Sequence, residues 1–128
     1  MNIHTLSNGA TVISTSMHGF KFSDDTECSG NPEIAKMFTL ERVTANKTTI
    51  KGMAVNETRM VINEEQKVYL GELCQSYDIV IVPFPVLVSL REMGIRDNFP
   101  NAVAFNATKE TQRLPPQDKI VDIQNWSY

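Results

Sequence analysis

The chain has 128 residues, 41% of them hydrophobic, with a formal charge of −3 and a pI of about 5.3, the scale of one globular domain around one core. That acidity excludes the broad Lys/Arg footprint of a DNA- or RNA-binding surface, while leaving room for the two or three cations that hold one small anion. Cys28 and Cys74 are distant and outside any Cys-x-x-Cys pair, so reduced, partly buried thiols are expected; without a basic leader or an apolar run near ~18 residues, so is a soluble, cytoplasmic protein with no membrane segment.

In chain order, Asn8-Gly9 within "LSNGATVIS" predicts a first hairpin, because apolar and β-branched residues alternate after it. "FKFSDDTE" alternates Phe20 and Phe22 with polar neighbours and turns at Ser23 to Asp25, one half of a second hairpin. In "GNPEIAKMF", Asn31 is placed as an N-cap and Pro32 at the first helical position, with Ile34, Met37 and Phe38 on one face. The Thr- and Val-rich run from 39 to 62 is broken at Asn46-Lys47 and Lys51-Gly52, which fits two or three antiparallel strands with Lys47 in a turn.

Past residue 62 the period changes. Asn63 caps a helix with Glu64 and Glu65 in its first turn and Val68, Tyr69 and Leu73 at helical spacing. Ile79 to Val82 is a continuous β-branched run ended by Pro83, the mark of a strand covered on both faces. A helix from Pro85 to Gly94 and a second buried strand at Ala102 to Phe105 complete a βαβ-like unit with parallel strands. The expected fold is α+β in a single domain, 1–128: an antiparallel β-rich half, 1–62, then a mixed half, 63–128, of helices and the βαβ-like unit.

In open sheets with such units, ligands lie beyond the carboxyl ends of the strands. Phe84 would present an aromatic face there, and Asn106, Thr108, Lys109 and Arg113 would present donors and charge. Arg96 and Asn98, in "GIRDNFPN", add a third contribution, and together these compose a nucleotide-like site. Each also has a plainer role: Phe84 as a packing wedge, Arg96 with Asp97 as a solvated ion pair, residues 106 to 113 as an ordinary loop, His18 as a turn or strand-edge histidine, and Asp78 as a solvent-facing residue at a strand start. No Gly-rich phosphate loop, nucleophile elbow or His-Glu-x-x-His pattern occurs, so binding is expected rather than turnover, with no cofactor and no metal.

"MHGFKF", "FTLER", "DIVIVPFPVL", "LREMGIRDNFPNAVAFNAT" and "KIVDIQNW" together resemble the first type of Thoeris anti-defence proteins, phage sponges for immune signalling nucleotides. The resemblance covers most of the chain and is densest from 77 to 113. It implies a β-rich N-terminal part with helices behind it, homo-oligomers, and capture without hydrolysis of cyclic ADP-ribose isomers made by bacterial TIR enzymes. Some members also take up cyclic trinucleotides. On this resemblance Phe84 is assigned to stacking, and Arg113, Arg59 and Asn98 to phosphate or ribose. The low charge of "ATVIS" and "FKF" suits them as edge strands for self-pairing. Rival readings are an enzyme degrading such nucleotides through Asp97 or His18, and an inhibitor that covers a host enzyme with Phe99, Trp126 and Tyr128 as anchors.

Overall fold

The computed structural model describes residues 1–128. The Asn8-Gly9 turn joins β1 (Ile3–Thr5) and β2 (Thr11–Ser14) as an antiparallel hairpin, with Gly9 at φ +88°, where a side chain would be strained. β3 (Phe20–Phe22) and β4 (Glu27–Cys28) form the second expected hairpin. Asp24 fastens its turn: the carboxylate accepts from the Thr26 N–H at 3.0 Å and, across to the first hairpin, from the Ser7 N–H at 2.8 Å. Burial pushes the Asp24 carboxyl up, but the bonds from the Thr26 hydroxyl and from Ser7 outweigh it and hold the group well below the usual carboxylate range.

Pro32 opens α1 (Pro32–Met37), but Asn31 makes no side-chain cap to it. Its amide instead donates to the Ser14 carbonyl at 2.8 Å and to the Asn2 carbonyl at 3.1 Å, tying the N-terminus to the end of β2. Ile34 and Phe38 are buried, whereas Met37, expected on the same face, is exposed.

β5 (Glu41–Ile50) and β6 (Met53–Val61) make a two-stranded sheet of their own, turned at Lys51-Gly52. Asn46-Lys47 does not break the strand. The register slips between Asn46 and Thr48, so Lys47 sits at a bulge inside β5, 3.6 Å from Glu57, rather than in a turn. α2 (Glu64–Ser76) begins with a full capping box, the Asn63 side chain accepting from the Gln66 N–H and the Gln66 side chain from the Asn63 N–H, both at 2.8 Å.

β7 (Ile79–Ile81), α3 (Phe84–Glu92) and β8 (Ala102–Ala107) are the βαβ unit, with β7 and β8 parallel neighbours as expected. β9 (Ile120–Ser127) returns antiparallel to β8. The main sheet has the order β1-β2-β7-β8-β9-β3-β4, because β2 lies parallel to β7 and β3 parallel to β9. The β-rich half is thus threaded into the mixed half. "ATVIS" and "FKF" are interior strands, each with neighbours on both sides, and so cannot serve as the self-pairing edges expected of them.

Period-two alternation sorts the apolar side chains into two cores. Ile13, Val80, Val82, Ala102 and Ala104 face the helices and pack with Leu70, Leu73, Val86, Leu87, Leu90 and Phe99. Val12, Ile79, Ile81 and Phe105 face the other way, toward Phe22, Val121 and Leu6. This second core lies inside a curl of the sheet, whose outer hairpins meet where His4 Nε2 lies 2.8 Å from Thr26 Oγ1 and the His4 ring stacks on Phe22 at 5.2 Å. No helix is long and apolar enough to cross a membrane.

Candidate functional site

The carboxyl ends of β2 and β7 open into a cavity of about 730 Å³ at one end of the curl. Ile81, Val82 and Pro83 leave β7 on one wall, and Ser16 and His18 leave β2 on another. Phe20 of β3 and Phe105 of β8 line the apolar wall, their rings 5.0 Å apart and inclined at 56°. Lys21, Lys119 and Gln117 add polar heads, and Glu27 is Lys21's cross-strand neighbour. Neither cavity lysine makes an ion pair, although Glu27 brings one carboxylate into the same lining.

Backbone packing shapes the mouth. A Cβ on Gly19 would lie 2.6 Å from the Cys28 carbonyl oxygen, and one on Gly30 would lie 2.2 Å from that of Met17. Only hydrogen at these positions lets the loop after β2 press against β4. Cys28 also lines the cavity, and burial pushes its thiol up, only partly offset by a hydrogen bond from the Phe20 N–H. It therefore stays protonated at neutral pH and is a poor nucleophile.

The sequence-predicted residues meet different fates. Phe84 is 54% exposed at the start of α3, with the Arg91 guanidinium 5.7 Å from its ring centre, so it is no packing wedge. Its neighbour Pro83 lines the cavity and Phe84 itself does not. Asn106 is spent on β9, donating to the Asn125 carbonyl at 3.1 Å and accepting from the Ser127 hydroxyl at 2.8 Å. Thr108 shares a 2.7 Å hydroxyl bond with buried Thr111. Lys109 and Arg113 are exposed on the turn beyond, outside the cavity.

Arg96 and Asn98 lie before β8, at the opposite end of the sheet from the mouth. Arg96 is neither a ligand-facing cation nor a solvated ion pair. It is 6% exposed and donates to the carbonyls of Phe99 and Ala102, both at 2.6 Å, with its guanidinium carbon 3.7 Å from the Tyr128 ring centre. Asn98 is exposed at this same end. Arg59 belongs to the β5–β6 sheet, 3.4 Å from Glu57. Phe84, Asn106, Thr108, Lys109 and Arg113 do stand at or just beyond the carboxyl ends of β7 and β8, but Arg96 and Asn98 lie at the other end and Arg59, assigned from the resemblance, on the separate hairpin, so the full set does not converge on one edge.

Of the anchors named for a covering inhibitor, Phe99 is buried and the Trp126 ring N–H donates to the Ile123 carbonyl at 3.0 Å. The Tyr128 hydroxyl donates to Asp97 at 2.6 Å. Asp78 is exposed at the start of β7 and is occupied too: it accepts from the Thr11 N–H at 2.9 Å, stapling β7 to β2.

The polar run 106 to 113 serves the site indirectly. Thr108 donates its N–H to the Ile120 carbonyl at 2.8 Å, and the Thr111 hydroxyl accepts from the Ile120 N–H at 3.1 Å. These bonds close the loop that brings Gln117 and Lys119 to the cavity. Lys21 between two phenylalanines was a visible signal, but its partners across the cavity lie some hundred positions away, on the scale of the Ile123 N–H to Ser23 hydroxyl bond, which spans 100 residues. No family model matches the chain, and no curated protein or solved structure matches it either.

Proposed function

We propose that this chain is a binding protein that captures a small anionic nucleotide in the mouth cavity and holds it uncleaved, acting as a phage anti-defence sponge in the host cytoplasm. The ligand class is cyclic ADP-ribose isomers, with cyclic trinucleotides as a second class, and the protein works as a homo-oligomer. One observation carries the reading: two lysines that make no ion pair stand, with the single carboxylate of Glu27, beside an aromatic wall in a concave site. A ring for a purine and cations for two phosphates are what such a ligand requires. The cavity's size is within the ~300–1,000 Å³ typical of small-molecule sites. Relative to the sequence-based assignment, the contacts move from Phe84 and Arg113 to Phe20, Phe105, Lys21 and Lys119.

Sequestration of a dilute signal needs nanomolar affinity, about −12 kcal/mol. Calorimetric titration with cyclic ADP-ribose is expected to show it, and ligand released by heating is expected to be intact. Lys21→Ala and Lys119→Ala should each remove a charge-assisted contact, costing about 1.5–3 kcal/mol, or roughly 10- to 150-fold in affinity, with the melting temperature unchanged. Absence of binding by the parent protein would sink the reading. Cleaved product in excess over protein would move it to an enzyme, with His18 at the cavity as the first residue to test.

A further inference from the structure

The loop between β2 and β3, residues 15 to 19, forms one wall of the mouth and is fastened at several points. Thr15 is 1% exposed and bonds the Ile81 carbonyl twice, through its N–H at 3.0 Å and its hydroxyl at 3.1 Å. Asn31, also buried, holds the strand end beside it. Its side-chain amide donates to the Ser14 carbonyl and its backbone N–H to the Ser16 carbonyl, both at 2.8 Å. Gly30 packs so closely that a Cβ there would lie 2.8 Å from the His18 carbonyl carbon. A wall held in this way loses little freedom when a ligand arrives.

Ser16 lines the cavity from this loop, and its own bonds leave one donor over. Its N–H donates to the Ser14 hydroxyl oxygen at 3.0 Å, its carbonyl accepts from Asn31, and its hydroxyl oxygen accepts from the His18 N–H at 3.2 Å. A serine hydroxyl has one proton and two lone pairs. The bond from His18 occupies a lone pair and fixes the oxygen, while the proton goes to no other group of the chain. A non-bridging phosphate oxygen asks for donors alone and suits this wall, whereas a ribose hydroxyl would also need an acceptor for its own proton.

We propose that Ser16 is a further binding residue of the mouth cavity, donating its hydroxyl proton to a phosphate oxygen of the captured nucleotide, and that Ser14 and Asn31 are the positioning residues that hold it there. The inference rests on the nucleotide reading above. It adds to the lysines a neutral donor from a second wall, so that the phosphate is read by direction as well as by charge.

Calorimetric titration of the full chain with cyclic ADP-ribose tests it, each variant being first checked for the parent melting temperature. Ser16→Ala is expected to weaken binding about 10-fold or more, the effect of losing a hydrogen bond to a charged group, whereas Ser16→Thr, which keeps the hydroxyl, should stay within about threefold. Because Ser16 is neutral, the Ser16→Ala loss should be the same at low and high salt, while the Lys119→Ala loss shrinks as salt is added. Ser14→Ala removes the oxygen that receives the Ser16 N–H. It should weaken binding several-fold in the parent protein and cost almost nothing further in a Ser16→Ala background, a coupling that a merely structural role would not produce. A parent protein that does not bind the nucleotide overturns the cavity reading and this inference together. If the parent binds and Ser16→Ala binds equally well, or Ser16→Thr is as weak as Ser16→Ala, the inference alone falls. Additive losses in the double variant overturn the positioning role of Ser14.

Discussion

The two ends of the β7–β8 pair are about equally polar in sequence and are used in opposite ways. At the amino end Arg96 bonds two carbonyls, Asn101 donates to the carbonyls of Cys74 and Tyr77 at 2.8 Å, Asp24 ties the two hairpins, and Asp78 staples β7 to β2. Charge there is structural because it is consumed. At the carboxyl end Lys21 and Lys119 stand over a cavity and make no ion pair, with Glu27 the one acid in its lining. The contrast is one of engagement: two nitrogens of the Arg96 guanidinium already bond carbonyls, its Nε is buried without a partner and the Tyr128 ring covers its face, whereas the two lysines are held in no ion pair.

The largest test of that contrast is Arg96→Ala. It removes two charge-assisted bonds and leaves the Phe99 and Ala102 carbonyls buried without them, an expected loss of about 2–4 kcal/mol in chemical denaturation. Nucleotide affinity of the folded fraction should not change. A stable Arg96→Ala protein with weakened binding would invert the assignment of the two ends.

A smaller effect is expected at Asp24. Its folded pKa is depressed, so its contribution to stability is present above the ordinary carboxylate value of about 4 and is lost as pH falls below it toward the folded value. Asp24→Asn should lower the urea midpoint at pH 7, and the gap from the parent protein should narrow by pH 3. A gap that widens on acidification would show that the closed end is not held by this carboxylate.

The smallest expected effects are at Phe84 and Arg113. Both are exposed and neither lines the cavity, so Phe84→Ala and Arg113→Ala should shift stability by no more than about 0.5 kcal/mol and leave nucleotide affinity unchanged. A tenfold loss of affinity at Arg113 would extend the open end onto the turn beyond Thr108.

A cavity was legible as a place, though not in the residues that line it. The βαβ reading located it beyond the carboxyl ends of parallel strands, and the cavity is there. Its lining comes instead from β3, from the loop after β2 and from the segment before β9. These are brought in by parallel pairings, β2 with β7 and β3 with β9, for which no local pattern exists. Arg96 was misplaced for a related reason. Hydrophobic periodicity has no means of marking a cation that goes inside to bond carbonyls three and six residues ahead.

Local chemistry, by contrast, carried through wherever the forces act within a few residues. Asn8-Gly9 turned the first hairpin, Asn63 with Gln66 capped α2, and the Ile79–Val82 run was a strand covered on both faces. Each depends on backbone sterics or hydrogen bonds that a short window contains. Only the tertiary structure decided which bond a versatile side chain would make. Asn31 could cap a helix or tie the chain's start to β2, and it does the second because Asn2 and Ser14 are brought beside it. The same holds for Lys21 and Lys119. In sequence they are two lysines among twelve basic residues, and they share a cavity because β3 and β9 pair in a register that depends on packing the curl as a whole.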